Sequence, residues 1–218
     1  MTGASPPSNT PPRLPTPIRC YSFARPEPGL FMTPLTSLLL PMLVAAIVVF
    51  VLSSIIPFAM PWHKNDHGHV PDDAAAQEAI RRLGLVPGDY TVPNPRLPNG
   101  ERDPDWVKRW EEGPAFVITV IPSGAMNMTK YMGRWFVFTL VVSAISALVA
   151  GSIVAPGGSR HAAFHYTAIV TACSYGLGAW PLTIWYHRNW RNALKGSFDA
   201  VLYGVATGAV YMMMWPGT

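Results

Sequence analysis

Trp135-Phe-Val-Phe-Thr-Leu-Val-Val-Ser-Ala-Ile-Ser-Ala-Leu-Val-Ala-Gly-Ser-Ile-Val154 is the stretch whose reading decides the fold. Some 20 residues without a charge, rising about 1.5 Å each as a helix, match a hydrocarbon core of about 30 Å. The stretch also carries a pattern, because Ser143, Ala147 and Gly151 fall at i, i+4 and i+8 and leave one helix edge nearly bare of side chain. Bare edges let helices approach closely, which matters in lipid, where apolar side chains gain nothing by leaving a solvent that is itself apolar.

Working outward, the same device recurs. Ala168, Ala172 and Gly176 lie on a window over 163–186, and Ala200, Gly204 and Gly208 on one over 197–215, where Gly204 and Gly208 spell G-x-x-x-G. A fourth apolar window covers 34–60. Only 13% of the 218 residues are charged and half are hydrophobic, against about a quarter charged in an ordinary soluble domain. The fold expected is an all-α membrane protein, a four-transmembrane-helix bundle with spans over 34–60, 135–155, 163–186 and 197–215. The repeated small edges predict packing within one chain more than dimerisation.

Between the first two spans, residues 61–134 turn polar and predict a small α+β insertion of two short helices and one or two strands. One helix runs from Pro71 to Gly84, with Asp72 and Asp73 at the positive end of its dipole and Arg81 and Arg82 at the negative end. A second opens with Asp103 as N-cap and Pro104 at the first helical position, placing Trp106 and Trp110 on one face. Tyr90-Thr-Val92 and Phe116-Val-Ile-Thr-Val-Ile121 are the strand candidates. Residues 1–33 are proline-rich and predict an extended, solvated tail, and Met32 just before the first span is an alternative start. Thr33 is expected to cap the first helix, Pro41 to interrupt its start, and Pro181 to kink the end of the third.

The net charge of +4 is small, and the cations flank spans without forming a patch, which argues against nucleic acid as a partner. Lys64, Lys130, Arg134, Arg188, Arg191 and Lys195 lie on one side of the spans, and Arg19, Arg25 and Arg160 on the other. By the excess of cations on the cytoplasmic side, the insertion is expected in the cytoplasm and both termini outside. Arginine-rich, Ala- and Pro-rich composition points to a bacterial inner membrane. Trp62, Trp135, Trp180, Trp185, Tyr186, Trp190 and Trp215 fit interfacial belts. The partners expected are the lipid bilayer and either another protein or a second copy.

Chemistry is sparse. No phosphate-binding loop, nucleophile elbow, H-E-x-x-H or dinucleotide fingerprint occurs, so the chain does not read as an enzyme. The densest group of ligand-type side chains is His63, Asp66, His67 and His69. Imidazole and carboxylate suit a divalent metal, but the spacing follows no rigid motif, and no cofactor is expected. Asp199 is the one carboxylate in an apolar window; with Ser197 as N-cap it would sit in a first helical turn, where the dipole favours an anion, with Lys195 or Arg191 to pair it. His165, a turn inside the third span, is a candidate proton relay. Cys20 and Cys173 are too far apart in setting to pair.

The chain resembles a family of small bacterial membrane proteins with no assigned activity. The resemblance rests on Ser53-Ser-Ile-Ile56, Pro61-Trp-His-Lys-Asn-Asp66, Leu85-Val-Pro-Gly-Asp-Tyr90, Gly113-Pro114 and Pro122-Ser-Gly-Ala-Met-Asn-Met128. It continues through Trp135-Phe136, Pro181-Leu-Thr-Ile-Trp185 and the Asp199 to Tyr203 opening, leaving out the proline-rich tail. It implies a four-span plan with a polar insertion after the first span. His67 and His69 fall outside that pattern, which leaves His63 and Asp66 as the pair of interest. A structural, accessory or partner-docking membrane protein is the reading preferred; a proton or small-solute transporter or channel subunit acting as an oligomer is the alternative, and a metal-dependent membrane enzyme the second.

Overall fold

The computed structural model describes residues 32–217. The proline-rich tail expected over 1–33 lies outside them but for its last two residues. The described chain is mostly helical, in the order α1 (Leu35–Ala59), α2 (Asp73–Arg82), β1 (Gly88–Val92), α3 (Trp106–Glu112), β2 (Phe116–Val120), α4 (Met128–Ile153), α5 (Arg160–Gly176), α6 (Ala179–Tyr186) and α7 (Trp190–Met214).

Three helices, α1, α4 and α7, are long and apolar enough to cross a membrane, at 25, 26 and 25 residues. The third span expected, over 163–186, is not among them. It is two helices, α5 and α6, broken at Leu177 and Gly178. Both break residues keep right-handed helical backbone, so α6 carries on from α5 with a local fault. Pro181 explains it: proline has no N–H for the Leu177 carbonyl four residues back, and its ring crowds that oxygen. Trp180 N–H donates to Leu177 instead, at 3.2 Å, in a tighter turn.

The four long segments form a ring in which α1 packs on α4 and α7, and α5 packs on α4 and α7. The most extensive of these contacts is α5 with α7. There the small edges meet: a Cβ on Gly204 would stand 2.6 Å from the Ala168 carbonyl oxygen and 3.1 Å from the Ala172 Cβ, and one on Gly176 would stand 3.1 Å from the Ala200 Cβ. The α4 edge faces α1. Ser143 donates to the Met42 carbonyl at 2.9 Å, and a Cβ on Gly151 would lie 3.2 Å from both Leu38 and the Thr33 carbonyl.

Small and hydroxyl-bearing residues share the interior with a few large apolar ones such as Leu38 and Tyr211, and many large aliphatic side chains lie outside. Ala45, Ala46, Ala147 and Ala150 are buried with Ser146, Thr167, Thr171 and Thr207, while Leu39, Ile47, Val51, Val141, Ile145, Ile169 and Val205 face outward. Each inward hydroxyl needs a partner where water is absent. Thr167 donates back to Ala163 at 2.8 Å, Ser146 and Thr171 join α4 to α5 at 2.9 Å, and the fully buried Tyr211 hydroxyl donates to the Ser143 carbonyl at 3.0 Å.

Thr33 does not cap α1, whose N-cap is Pro34; its hydroxyl donates to the Val154 carbonyl at 2.6 Å, and its N–H to Gly151 at 2.9 Å. At that same end the Trp215 indole donates to Ala155 at 3.1 Å and Gly157 N–H to Pro216 at 2.8 Å. Pro41 lies within α1 and does not interrupt it. Two further boundaries fall earlier than expected. Asn127 caps α4 through Lys130 N–H, so that helix starts at Met128 and not near 135; Asn189 likewise caps α7 through Arg191 N–H, and α7 starts at Trp190, not 197. Side-chain capping by asparagine overrides the polar first turns.

In the insertion, β1 and β2 pair antiparallel, with Tyr90 opposite Ile118. Asp72 caps α2 by accepting from Ala75 N–H at 2.9 Å, and Gly84, at φ 62°, ends that turn. Asp103 is not the α3 N-cap. It is buried, accepts from Asp105 N–H and pairs with Arg109, so α3 begins at Trp106. The Trp106 indole donates to the Pro93 carbonyl at 3.0 Å and its ring packs against Trp110.

Gly204→Ala should therefore lower the thermal stability of the detergent-solubilised protein, by about 1–3 kcal/mol, because the neighbouring atom is backbone and cannot step aside. Gly196→Ala, with nothing within 4 Å, should be neutral or stabilise by up to about 1 kcal/mol. Thermal unfolding followed by circular dichroism checks both, and an unchanged Gly204→Ala would contradict the close approach.

Candidate functional site

Where α1 ends, Pro61 to His63 form a single tight turn that brings the next residues back over the bundle. Asp66 N–H donates to His63 O at 3.3 Å and closes a second turn. Histidine and aspartate three residues apart then share one face, and Nδ1 of His63 lies 2.7 Å from an Asp66 carboxylate oxygen.

The opposite wall is α7. Asn192, Lys195 and Asp199 follow at i, i+3 and i+7, one stripe of one helix face. Asp199 Oδ2 lies 2.8 Å from His63 Nε2, Lys195 Nζ donates to Asp66 Oδ1 at 2.6 Å, and the Asn192 amide donates to the Asp66 backbone carbonyl at 2.7 Å. Trp62 completes the group, its indole N–H 3.3 Å from Asp199 Oδ1 and its ring edge-on to Phe198. Little of this is wet: the Asp199 and His63 side chains are 8% and 12% exposed, and those of Asp66 and Lys195 23%.

Protonation follows from the donor count. An ionised carboxylate only accepts, and a neutral imidazole has a single N–H, so contacts of 2.7 and 2.8 Å to two carboxylates are both hydrogen bonds when the ring is the imidazolium. Burial works to lower the His63 pKa, but the hydrogen bonds to Asp66 and Asp199 outweigh it and hold the value above the ordinary 6.5. Burial likewise works to raise Asp66; Lys195 and His63 win and hold its carboxyl below the ordinary 3.8. Two carboxylates, one ammonium and one imidazolium sum to zero, which makes so dry a group tolerable.

The Asp199 environment corrects the sequence expectation. Asp199 lies ten residues past the cap Asn189, so it is no first-turn residue; Ser197 caps nothing, donating to Ala193 O and accepting from Trp180. Lys195 pairs with Asp66 instead of Asp199. Of the four polar candidates, His63, Asp66 and Asp199 converge. His165 does not: it is exposed, bonded to the His161 carbonyl, one residue from the Phe164 that meets Gly208, nine residues along α7 from Asp199. His67 and His69 are exposed and outside the cluster. Among the described residues no group of three or more His, Cys, Asp or Glu is arranged to hold a metal ion, and both His63 nitrogens face carboxylates.

Trp62 and Asn192 were the residues missed. Trp62 reads as an interfacial anchor, and Asn192 carries no signal by itself. The helical spacing of Asn192, Lys195 and Asp199 is the signal that finds it once α7 is known to start at Trp190.

Comparison with protein-family models, with curated proteins and with solved structures finds no match to this chain.

Stability should depend on pH through this cluster. The part due to His63, whose pKa is raised by folding, is fully present below 6.5 and is lost as pH rises through the higher folded value. The part due to Asp66, whose pKa is lowered, is present above 3.8 and is lost as pH falls through the lower folded value. Melting temperature against pH should thus be highest between those two ordinary values. In Asp199→Asn the alkaline fall should be smaller and should end at lower pH; coincident alkaline limbs would contradict the imidazolium.

Proposed function

We propose that this protein is a structural membrane component that holds its polar insertion at one membrane face for a partner protein to engage. Four crossings serve that role, with α5 and α6 together making the one that neither makes alone. The observation that carries the reading is the His63 cluster, whose charged groups bond one another and tie the turn after α1 onto α7. A clasp of this kind fixes where the insertion leaves the bundle, with both nitrogens of its imidazole taken up by carboxylates. The cations at the insertion end, among them Lys64, Lys130, Arg134 and Arg191, support a bacterial inner membrane with the insertion on the cytoplasmic side.

One observation favours a second reading, a proton-conducting subunit: His63 and Asp199 form a part-buried hydrogen-bonded pair at the mouth of the bundle. Four crossings are few for a carrier, so this reading requires an oligomer.

The two readings separate in one experiment. In His63→Ala/Asp199→Ala, trypsin should cut at Lys64 about tenfold faster than in the wild type, with helix content retained, because the bonds that hold the turn are gone. Proteoliposomes of the wild type should leak protons no faster than empty ones. Proton flux in the wild type that Asp199→Asn abolishes would replace the scaffold by the conducting subunit.

A further inference from the structure

The cluster is not the only place where charge gathers at the insertion end. Between the two-stranded sheet and the end of α6 the chain leaves a cavity of about 440 Å³, lined by Asp89, Thr91 and Thr119 from the strands and by Leu182, Tyr186 and Arg188 from the α6 side. Protein surfaces that belong together normally fill the space between them. This one is within the range of small-molecule sites.

Its charges are opposed and apart. Asp89 stands on the sheet wall and Arg188 on the helix wall, yet among the described residues neither makes an ion pair, with the other or with any third group. Opposite charges lining one cavity without touching leave room for something that satisfies both. Thr119 donates to one Asp89 carboxylate oxygen at 2.6 Å, which orients the group and leaves the other oxygen open. Arg188 offers a planar fork suited to two phosphate oxygens.

A ligand matching this pattern is dipolar, with an anion that accepts from a guanidinium at one pole and an N–H cation that donates to a carboxylate at the other. Beside the cavity, α6 leaves Leu182, Ile184 and Trp185 49%, 63% and 78% exposed, at the end of a bundle whose flanks are apolar. We infer that the cavity between the sheet and α6 binds the zwitterionic headgroup of an ethanolamine phospholipid, phosphate on Arg188 and ammonium on Asp89, with its acyl chains along α6.

This rests on the membrane reading above. It also selects among headgroups. A glycerol headgroup brings no ammonium to Asp89. A choline headgroup brings a cation without N–H donors, which suits a cage of several aromatic faces; one ring, Tyr186, lines this cavity, whereas Trp110 and Phe116 join it only around an adjoining cavity of about 210 Å³ lined by no carboxylate.

Native mass spectrometry of the full-length, delipidated protein tests the assignment after incubation with equal amounts of phosphatidylethanolamine, phosphatidylcholine and phosphatidylglycerol. The ethanolamine lipid should be retained about tenfold over each of the others, the scale of one charge-assisted hydrogen bond. Asp89→Asn should reduce its retention to that of the choline lipid and leave the glycerol lipid unchanged. Arg188→Gln should lower retention of all three. Both side chains are exposed, so circular dichroism and a single size-exclusion peak should match the wild type. Equal retention of ethanolamine and choline lipids by the wild type, or a preference that survives both substitutions, overturns the proposal. Displacement of the lipid by soluble phosphoethanolamine at equal headgroup concentration would support the same chemistry with a free zwitterion as its source. A chain that fails to float with vesicles refutes the membrane reading, and soluble phosphoethanolamine binding, lost in Asp89→Asn or unaffected by it, then decides the site separately.

Discussion

Much of this structure depends on how near α7 is allowed to come to α5. At Gly204 the two backbones are so close that one added carbon would meet the Ala168 carbonyl at 2.6 Å. In hydrocarbon such contact is a main source of cohesion, because burying leucine against lipid or against leucine is nearly the same thing. The cost is local conformational freedom at glycine, about 1 kcal/mol per helix position against alanine. The return is dispersion along the length of two helices together with short paths for hydroxyl bonds across the bundle.

That approach sets the rotation of α7, and rotation sets which of its residues face the turn after α1. With Ala200, Gly204 and Gly208 on α5, the stripe of Asn192, Lys195 and Asp199 is delivered to Trp62, His63 and Asp66. The polar cluster is thus a consequence of the apolar packing. Its own requirement is electrical neutrality, met when His63 is charged, since a dry group with an unbalanced carboxylate would draw in water or a proton.

Sequence alone made the helical interior legible, because a bare edge at i, i+4 and i+8 is a local property that survives in any tertiary setting. The three long helices and the two strands were readable for the same reason. What was not legible depended on which of several available partners a residue takes. Pro181 signalled a kink, but that it would cut the third window into α5 and α6 at Leu177 follows from one carbonyl losing its donor. Asp199 looked like a first-turn anion because Ser197 makes a plausible cap; Asn189 caps further upstream and carries the helix start with it. Likewise Asp103 was a reasonable cap until Arg109 claimed its carboxylate. His63 and Asp66 were visible as a pair, but no local pattern could bring Asp199 to the far side of the ring.

The two ends of the bundle are fastened by different kinds of bond. At one, Thr33, Gly157 and Trp215 donate to backbone carbonyls on neighbouring segments, and none of those donors titrates between acid and mildly alkaline pH. At the other, the fastening is ionic and contains a histidine. The molecule is therefore polar in its responsiveness as well as in its topology. A change in proton concentration acts on the ionic bonds that fasten one rim of the bundle, while the backbone-directed bonds of Thr33, Gly157 and Trp215 at the opposite rim contain no group of that kind.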